Sequence, residues 1–218
     1  MTPEMIELAI ATFVTLFVII DPIAVAPIFA GMTEGTDRAH QKSMAYRGFL
    51  VGTAVLLFFA LIGESFLGVL GITMNAFRVA GGLFLFLIAM EMVFEKRTER
   101  REKRADKYME EHEQEIIEHP DDISVFPIAV PLMSGPGSIA TVMLMMSGNR
   151  GDMVAQATIL GSMLAVMVVS LIFLLLAGHM MRLFGQSLTA VLTRVLGIVL
   201  AAMAAQFVID GLKGSFLS

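Results

Sequence analysis

Asp21-Pro22-Ile23-Ala24-Val25-Ala26-Pro27 interrupts an apolar run near the start of the chain, and 105 residues on, Pro-Ile-Ala-Val recurs within Phe126-Pro127-Ile128-Ala129-Val130-Pro131, followed by Ser134-Gly135-Pro136-Gly137-Ser138. Both stretches sit where long apolar helices should continue. Proline removes a backbone donor and clashes with the turn before it. In hydrocarbon, backbone groups freed in this way persist only where protein buries them or a polar cavity is lined by them. Two matched breaks therefore mark a candidate ligand site, and the rest of the chain is read outward from them.

Composition places the breaks in a membrane. Of 218 residues, 56% are hydrophobic and 16% charged, with a mean hydropathy of +0.79, against about 45–50% and about 25% in ordinary soluble domains. A spanning helix needs about 20 mostly apolar residues. Six segments qualify: Met5 to Phe29, Met44 to Gly63, Thr73 to Phe94, Ile123 to Met146, Met153 to Gly178 and Leu188 to Ile209. The expected fold is an all-α membrane protein. Cysteine is absent, so disulfides, redox pairs and thiolate metal sites are excluded. Cytoplasmic loops are enriched in Lys and Arg. With the N-terminus outside, Arg38, Lys42, Arg47, the seven basic residues from Lys96 to Lys107, Arg182 and Arg194 fall inside, leaving Arg78, Arg150 and Lys213 outside. Both termini are thus expected to be extracytoplasmic.

A second regularity organises the spans into a three-helix unit used twice. Besides the shared Pro-Ile-Ala-Val, Leu70-Gly71 matches Phe184-Gly185, and Arg78-Val79-Ala80-Gly81 matches Arg194-Val195-Leu196-Gly197, at spacings of 114 and 116 residues. A unit with an odd number of spans must run through the membrane upside down in its second copy, which is the inverted-repeat plan of many secondary transporters. The expected division is 1–95 for the first repeat, 96–122 for a charged cytoplasmic linker and 123–218 for the second repeat, with the first and fourth helices broken.

The two breaks carry different chemistry. Pro22 and Pro27 cost the first helix two donors, and Asp21 sits beside the resulting helix end. An acid within a membrane segment is costly and usually faces a cavity or a cation, although Asp before Pro is also an ordinary helix N-cap. In the second break, Gly135, Pro136 and Gly137 let a ligand approach the backbone, and Ser134 and Ser138 add hydroxyls. Ser138 is expected to cap the helix that runs through Thr141. Amides at a helix start suit an anionic group, whereas Asp21 and exposed carbonyls suit an ammonium. Together they would hold a small zwitterion. The bland alternatives are a cap at Asp21 and a tight loop or close helix packing at the glycines.

Phe17-Val18-Ile19-Ile20-Asp21-Pro22-Ile23, Pro27-Ile28-Phe29, Asn75-Ala76-Phe77-Arg78-Val79-Ala80-Gly81-Gly82 and Phe126 to Leu132 with Gly135-Pro136-Gly137-Ser138-Ile139-Ala140-Thr141 resemble the MarC family of inner-membrane proteins over nearly the whole chain. That family is distantly similar to the six-helix exporters of the LysE type, and some members transport alanine and glycine. The resemblance implies a bacterial-type inner-membrane carrier of small neutral amino acids, proton-coupled or exchanging, with its site where the broken helices meet: Asp21, Pro22, Pro27, Pro131, Ser134, Gly135, Pro136, Gly137, Ser138 and Thr141. The linker from Glu95 to Asp122 looks longer and more charged than the family's.

Other features are read more plainly. The linker mixes seven basic and eleven acidic residues and is expected to be a solvated, partly helical segment. Arg78 and Glu91 are candidate coupling or structural charges, thirteen residues apart on one helix and hence about 20 Å apart. No cofactor, metal or nucleic-acid partner is expected, and the partners are the bilayer and a small amino acid. An enzyme would need a base beside Ser134 or Ser138, and no histidine lies in a span near them. No phosphate-binding loop of an ATP-driven pump occurs. A channel, a non-transporting scaffold and an exporter of another small solute are the alternatives to the amino-acid carrier.

Overall fold

A computed structural model describes residues 2–33, 35–94, 96–111 and 133–216. Among them there is no strand. The helices are α1 (Pro3–Ile20), α2 (Pro22–Met32), α3 (Arg38–Val69), α4 (Met74–Val93), α5 (Lys96–Glu111), α6 (Pro136–Gly148), α7 (Met153–Leu175) and α8 (Ala177–Phe216). Five stretches are long and apolar enough to cross a membrane: Pro3–Met32, Arg38–Val69, Met74–Val93, Met153–Leu175 and Leu188–Phe216. The first half of the expected fourth span, with Phe126 to Pro131, lies outside the described residues.

Helix boundaries follow local chemistry. Asp37 caps α3 by accepting from His40 N at 2.6 Å, Thr73 caps α4 through Ala76 N at 3.2 Å, and Asp152 caps α7 through Val154 N and Ala155 N at 3.0 and 2.9 Å. Gly71 and Gly151 turn the chain between helices with φ of 70° and 86°, a conformation that costs glycine little. The first span breaks at Asp21 as expected. Pro27, however, stays inside α2 without ending it. The residues flanking it, Ala26 and Ile28, are buried, so packing against the core holds the helix across the missing hydrogen bond. The expected loop between Gly178 and Leu188 is also absent: α8 runs through it, since nothing between Ala177 and Leu188 removes a backbone donor.

Two apolar clusters make the interior. One joins α1, α2, α3, α6 and α7 through Leu16, Ile20, Phe29, Leu56, Ile159 and Met163. The other joins α1 to α4 and α8 through Val18, Ile19, Leu85, Ala89, Leu200 and Ala204. Consecutive residues Ile19 and Ile20 thus face different clusters, which puts the end of α1 in the middle of the protein. Large side chains such as Leu61, Leu83 and Ile198 remain exposed, as expected of a surface that lipid covers.

Helices α4 and α8 form the most extensive contact in the fold, and it is antiparallel. A methyl placed on Gly82 would lie 2.8 Å from the Ala204 carbonyl oxygen and 2.8 Å from Val208 Cγ2. One placed on Gly197 would lie 3.1 Å from the Ala89 carbonyl oxygen and 3.1 Å from Val93 Cγ2. Each member of the second set stands 115 residues from its counterpart in the first, so the same Gly, Ala and Val make the same contact twice. The packing pairs Gly82 with Gly197, one residue off the match drawn from Arg78 to Gly81. Small residues at such seams let helix backbones approach closely in membranes.

Candidate functional site

The end of α1 is built by what its residues cannot do. Pro22 has no N–H, and Asp21 takes a left-handed φ of 56°, which Asp tolerates better than most residues. Asp21 N still donates to Phe17 O at 2.8 Å, but Ala24 N turns to Asp21 O at 3.1 Å, beside the ordinary helical bond from Val25 N to the same oxygen at 3.1 Å. In an uninterrupted helix Ile23 N and Ala24 N would donate to Ile19 O and Ile20 O. Asp21 Oδ1 accepts from Ala24 N at 3.4 Å and so caps α2. Its side chain is 1% exposed.

The carbonyls released by the break are taken by the linker. Arg97 Nη2 donates to Ile19 O, and Arg101 Nη2 donates to Ile20 O at 3.4 Å. Arg101 Nη1 lies 3.9 Å from Asp21 Oδ2. Two guanidinium groups therefore cap the carbonyl end of α1, where cations are favoured by the helix dipole. Arg97 is 8% exposed, so the linker is not solvated throughout as expected from its charge. Burial, then the neighbouring Arg101, push the Arg97 guanidinium down to about 9, and Asp21 and Glu91 oppose this. Arg97 still carries its charge at neutral pH. The ammonium seat expected at Asp21 and the free carbonyls is thus already filled by the protein's own cations.

The second helix start faces the same place. Gly135 is the N-cap of α6 and no side chain caps it. Ser138, expected as the cap, instead lies in the first turn, because Pro136 starts the helix earlier. A methyl on Gly137 would come 3.4 Å from Ile19 Cγ2 and 2.8 Å from Ile88 Cδ1, so the start of α6 sits against the end of α1. Asp21-Pro22 and Gly135-Pro136 each begin a helix, 114 residues apart, whereas the Pro-Ile-Ala-Val at 127–130 and Pro131 lie outside the described residues.

Between these elements is a cavity of about 380 Å³. Gly135, Pro136, Gly137 and Ser138 form one wall, and Arg97, Arg100, Arg101 and Glu91 the other. Glu91 pairs with Arg100, so it belongs to this cluster rather than standing as a lone charge at the end of its helix. Ser134 and Thr141 are buried but do not line the cavity, and Thr141 Oγ1 has no hydrogen-bond partner among the described residues. Asp21, Pro22 and Pro27 do not line the cavity either. Arg78 is remote, with Nη2 near Gly148 at the other end of α4. A larger groove of about 650 Å³ between α1 and α7, beside Ile10 and Ala157, is nearly all apolar and offers a polar solute little.

A family model described as MarC family integral membrane protein matches residues 6–216. The chain belongs to the MarC family. Similar proteins include the UPF0056 membrane protein YvbG of Bacillus subtilis, 32% identical over 212 residues and covering 97% of both chains. A UPF0056 membrane protein of Methanocaldococcus jannaschii is 33% identical over 218 residues, covering 99% of this chain and 91% of its own. A third, from Archaeoglobus fulgidus, is 31% identical over 95% of this chain and 93% of its own. No solved structure matches.

The residues that sequence reasoning missed are Arg97, Arg100 and Arg101. Their signal was available: basic residues at 97, 100, 101 and 104 share one face of a helix, with Glu99, Glu102 and Asp106 on another.

Proposed function

We propose that this MarC-family chain is a six-span secondary transporter, built as two inverted three-helix repeats, which moves a small neutral amino acid of the alanine or glycine class, with export as the direction. The observation that carries the reading is the meeting of the broken end of α1 and the proline-marked start of α6 at one cavity that Glu91, Arg97, Arg100 and Arg101 also line, with Gly137 packed against Ile19. Broken helices at a repeat interface are where inverted-repeat carriers bind substrate. The twice-made contact between α4 and α8 supports the repeat, since an inverted unit brings its two third helices together antiparallel. We read the protein as a carrier rather than an enzyme, in a bacterial-type inner membrane, coupled to protons or to exchange.

Purified protein in liposomes is expected to take up labelled alanine and glycine saturably, with a rate that responds to a pH gradient or to amino acid loaded inside. No uptake and no binding would end the amino-acid assignment. Uptake that does not saturate would make the protein a channel. The orientation has its own test, made simple by the lack of cysteine. Single cysteines at Arg38 and at Met153 are expected to react with an impermeant thiol reagent from the cytoplasmic and the external side respectively. The reverse pattern would place both termini inside.

A further inference from the structure

We infer that the cavity between α5 and the first turn of α6 is a seat for one carboxylate, and that it accepts small monocarboxylates without an amino group, such as propionate, about as well as alanine. The inference rests on the reading of this cavity as the substrate site.

Charge decides the ligand class. Arg97, Arg100 and Arg101 are balanced by Glu91 on the lining and by Asp21 beside Arg101, so three guanidinium groups against two carboxylates leave one positive charge. The start of α6 adds to it: Pro136 carries no N–H, and the amides of Gly137 and Ser138 belong to the first turn, at the positive end of the helix dipole. Ile139 N is the first to be satisfied within the helix, by Gly135 O at 3.1 Å. Independently of α6, Arg101 Nη1 is buried with no hydrogen-bond partner among the described residues, and Asp21 Oδ2 lies 3.9 Å from it. A buried guanidinium nitrogen left in this state on a cavity wall calls for an acceptor. One carboxylate neutralises the surplus charge and supplies that acceptor, and a dianion would exceed it.

The amino group of an amino acid finds no equivalent seat. Ile19 O and Ile20 O already accept from Arg97 and Arg101, and Asp21 faces Arg101. In this arrangement the guanidinium groups stand where an ammonium would, so recognition falls on the acid end of the ligand.

Calorimetric titration of full-length protein in an uncharged detergent tests this with propionate, alanine, n-propylamine and inorganic phosphate. Propionate and alanine are expected to compete for one site with affinities within about threefold, phosphate to bind at least about tenfold more weakly, and propylamine not to bind. Arg101→Gln is expected to weaken both acids at least about tenfold. Ser138→Asp places a carboxylate in the first turn of α6, where it favours the helix. It is expected to abolish binding of both acids without lowering the thermal midpoint, and so reads the seat even where Arg101→Gln does not fold. Failure of propionate to bind, binding of propylamine, phosphate as the tightest ligand, or unchanged propionate affinity in Ser138→Asp would each overturn the inference. Propionate binding in a protein that moves no alanine keeps the seat and removes the transport reading. Alanine transport without propionate binding does the opposite.

Discussion

Asp21→Asn is expected to lower alanine transport at least about tenfold and to expose the linker to protease, while the helical bundle stays folded. The substitution is selective. Asn tolerates the left-handed conformation that Asp21 holds at φ 56°, and its carbonyl can still accept from Ala24 N as the acid does. Only the charge is lost. That charge lies 3.9 Å from Arg101 Nη1 and also supports Arg97. Removing one partner of a fully buried pair typically costs about 3–5 kcal/mol. The separation, and the 11% exposure of the Arg101 side chain, put this pair lower, at about 1–3 kcal/mol. Such a loss is enough to loosen α5, which is held to α2 and α4 over a small contact, but not to separate spans joined along their whole length. Trypsin cleavage within 97–107 is therefore expected to accelerate while the thermal midpoint moves by only a few degrees. Asp21→Gly, which keeps the turn but loses cap and charge together, is expected to be worse in both respects. If Asp21→Asn transports normally, the residue is a helix cap and nothing more.

Much of this arrangement is legible in the amino-acid sequence, and the limits are physical. Proline and glycine act on the backbone directly, so Asp21-Pro22 announces a helix start from type and position alone, and Ser134-Gly135-Pro136-Gly137-Ser138 announces a second break. Apolar length announces the spans. Pro27 misleads because a missing hydrogen bond does not end a helix where the flanking residues Ala26 and Ile28 are buried. Ser138 misleads because the cap is set by where α6 begins, and Pro136 begins it one turn earlier than the hydroxyl suggests. The linker is the largest gap. Its composition points to water, and composition is blind to which face of a helix a charge occupies. Arg97 and Arg101 stand on the face that meets α1, and they are drawn inward by carbonyls left without donors by the break at Pro22. A buried arginine of this kind is a consequence of the break at a distance in sequence, so the break and the stripe at 97, 100, 101 and 104 have to be read together. The same distant effect bears on the division of a zwitterion between the two breaks, since Arg97 and Arg101 occupy the carbonyls of Ile19 and Ile20 and lie beside Asp21.

The seam between α4 and α8 sets the other large effect. Gly82→Ala is expected to destabilise the protein by about 2–3 kcal/mol, because a methyl there meets backbone as well as the stiff β-branched side chain of Val208. The obstacles are Ala204 O at 2.8 Å and Val208 N at 2.9 Å, and relieving both requires the helices to part along a contact that runs from Asn75 beside Gly214 to Met92 beside Gly197. Gly197→Ala meets the equivalent atoms at slightly greater distance, Ala89 O and Val93 Cγ2 each at 3.1 Å, with Met92 Cβ at 2.9 Å. It is expected to cost less, about 1–2 kcal/mol. Gly161→Ala is the control: the site has open space around it, and the change should stay within about 1 kcal/mol and favour the helix. Thermal unfolding of the three variants in detergent, read by circular dichroism, gives the order directly. If Gly82 and Gly197 behave like Gly161, the close approach of α4 and α8 is wrong, and the twofold reading that depends on it goes with it. If they are costly in the expected order, the two halves of the chain meet through the same Gly, Ala and Val used twice.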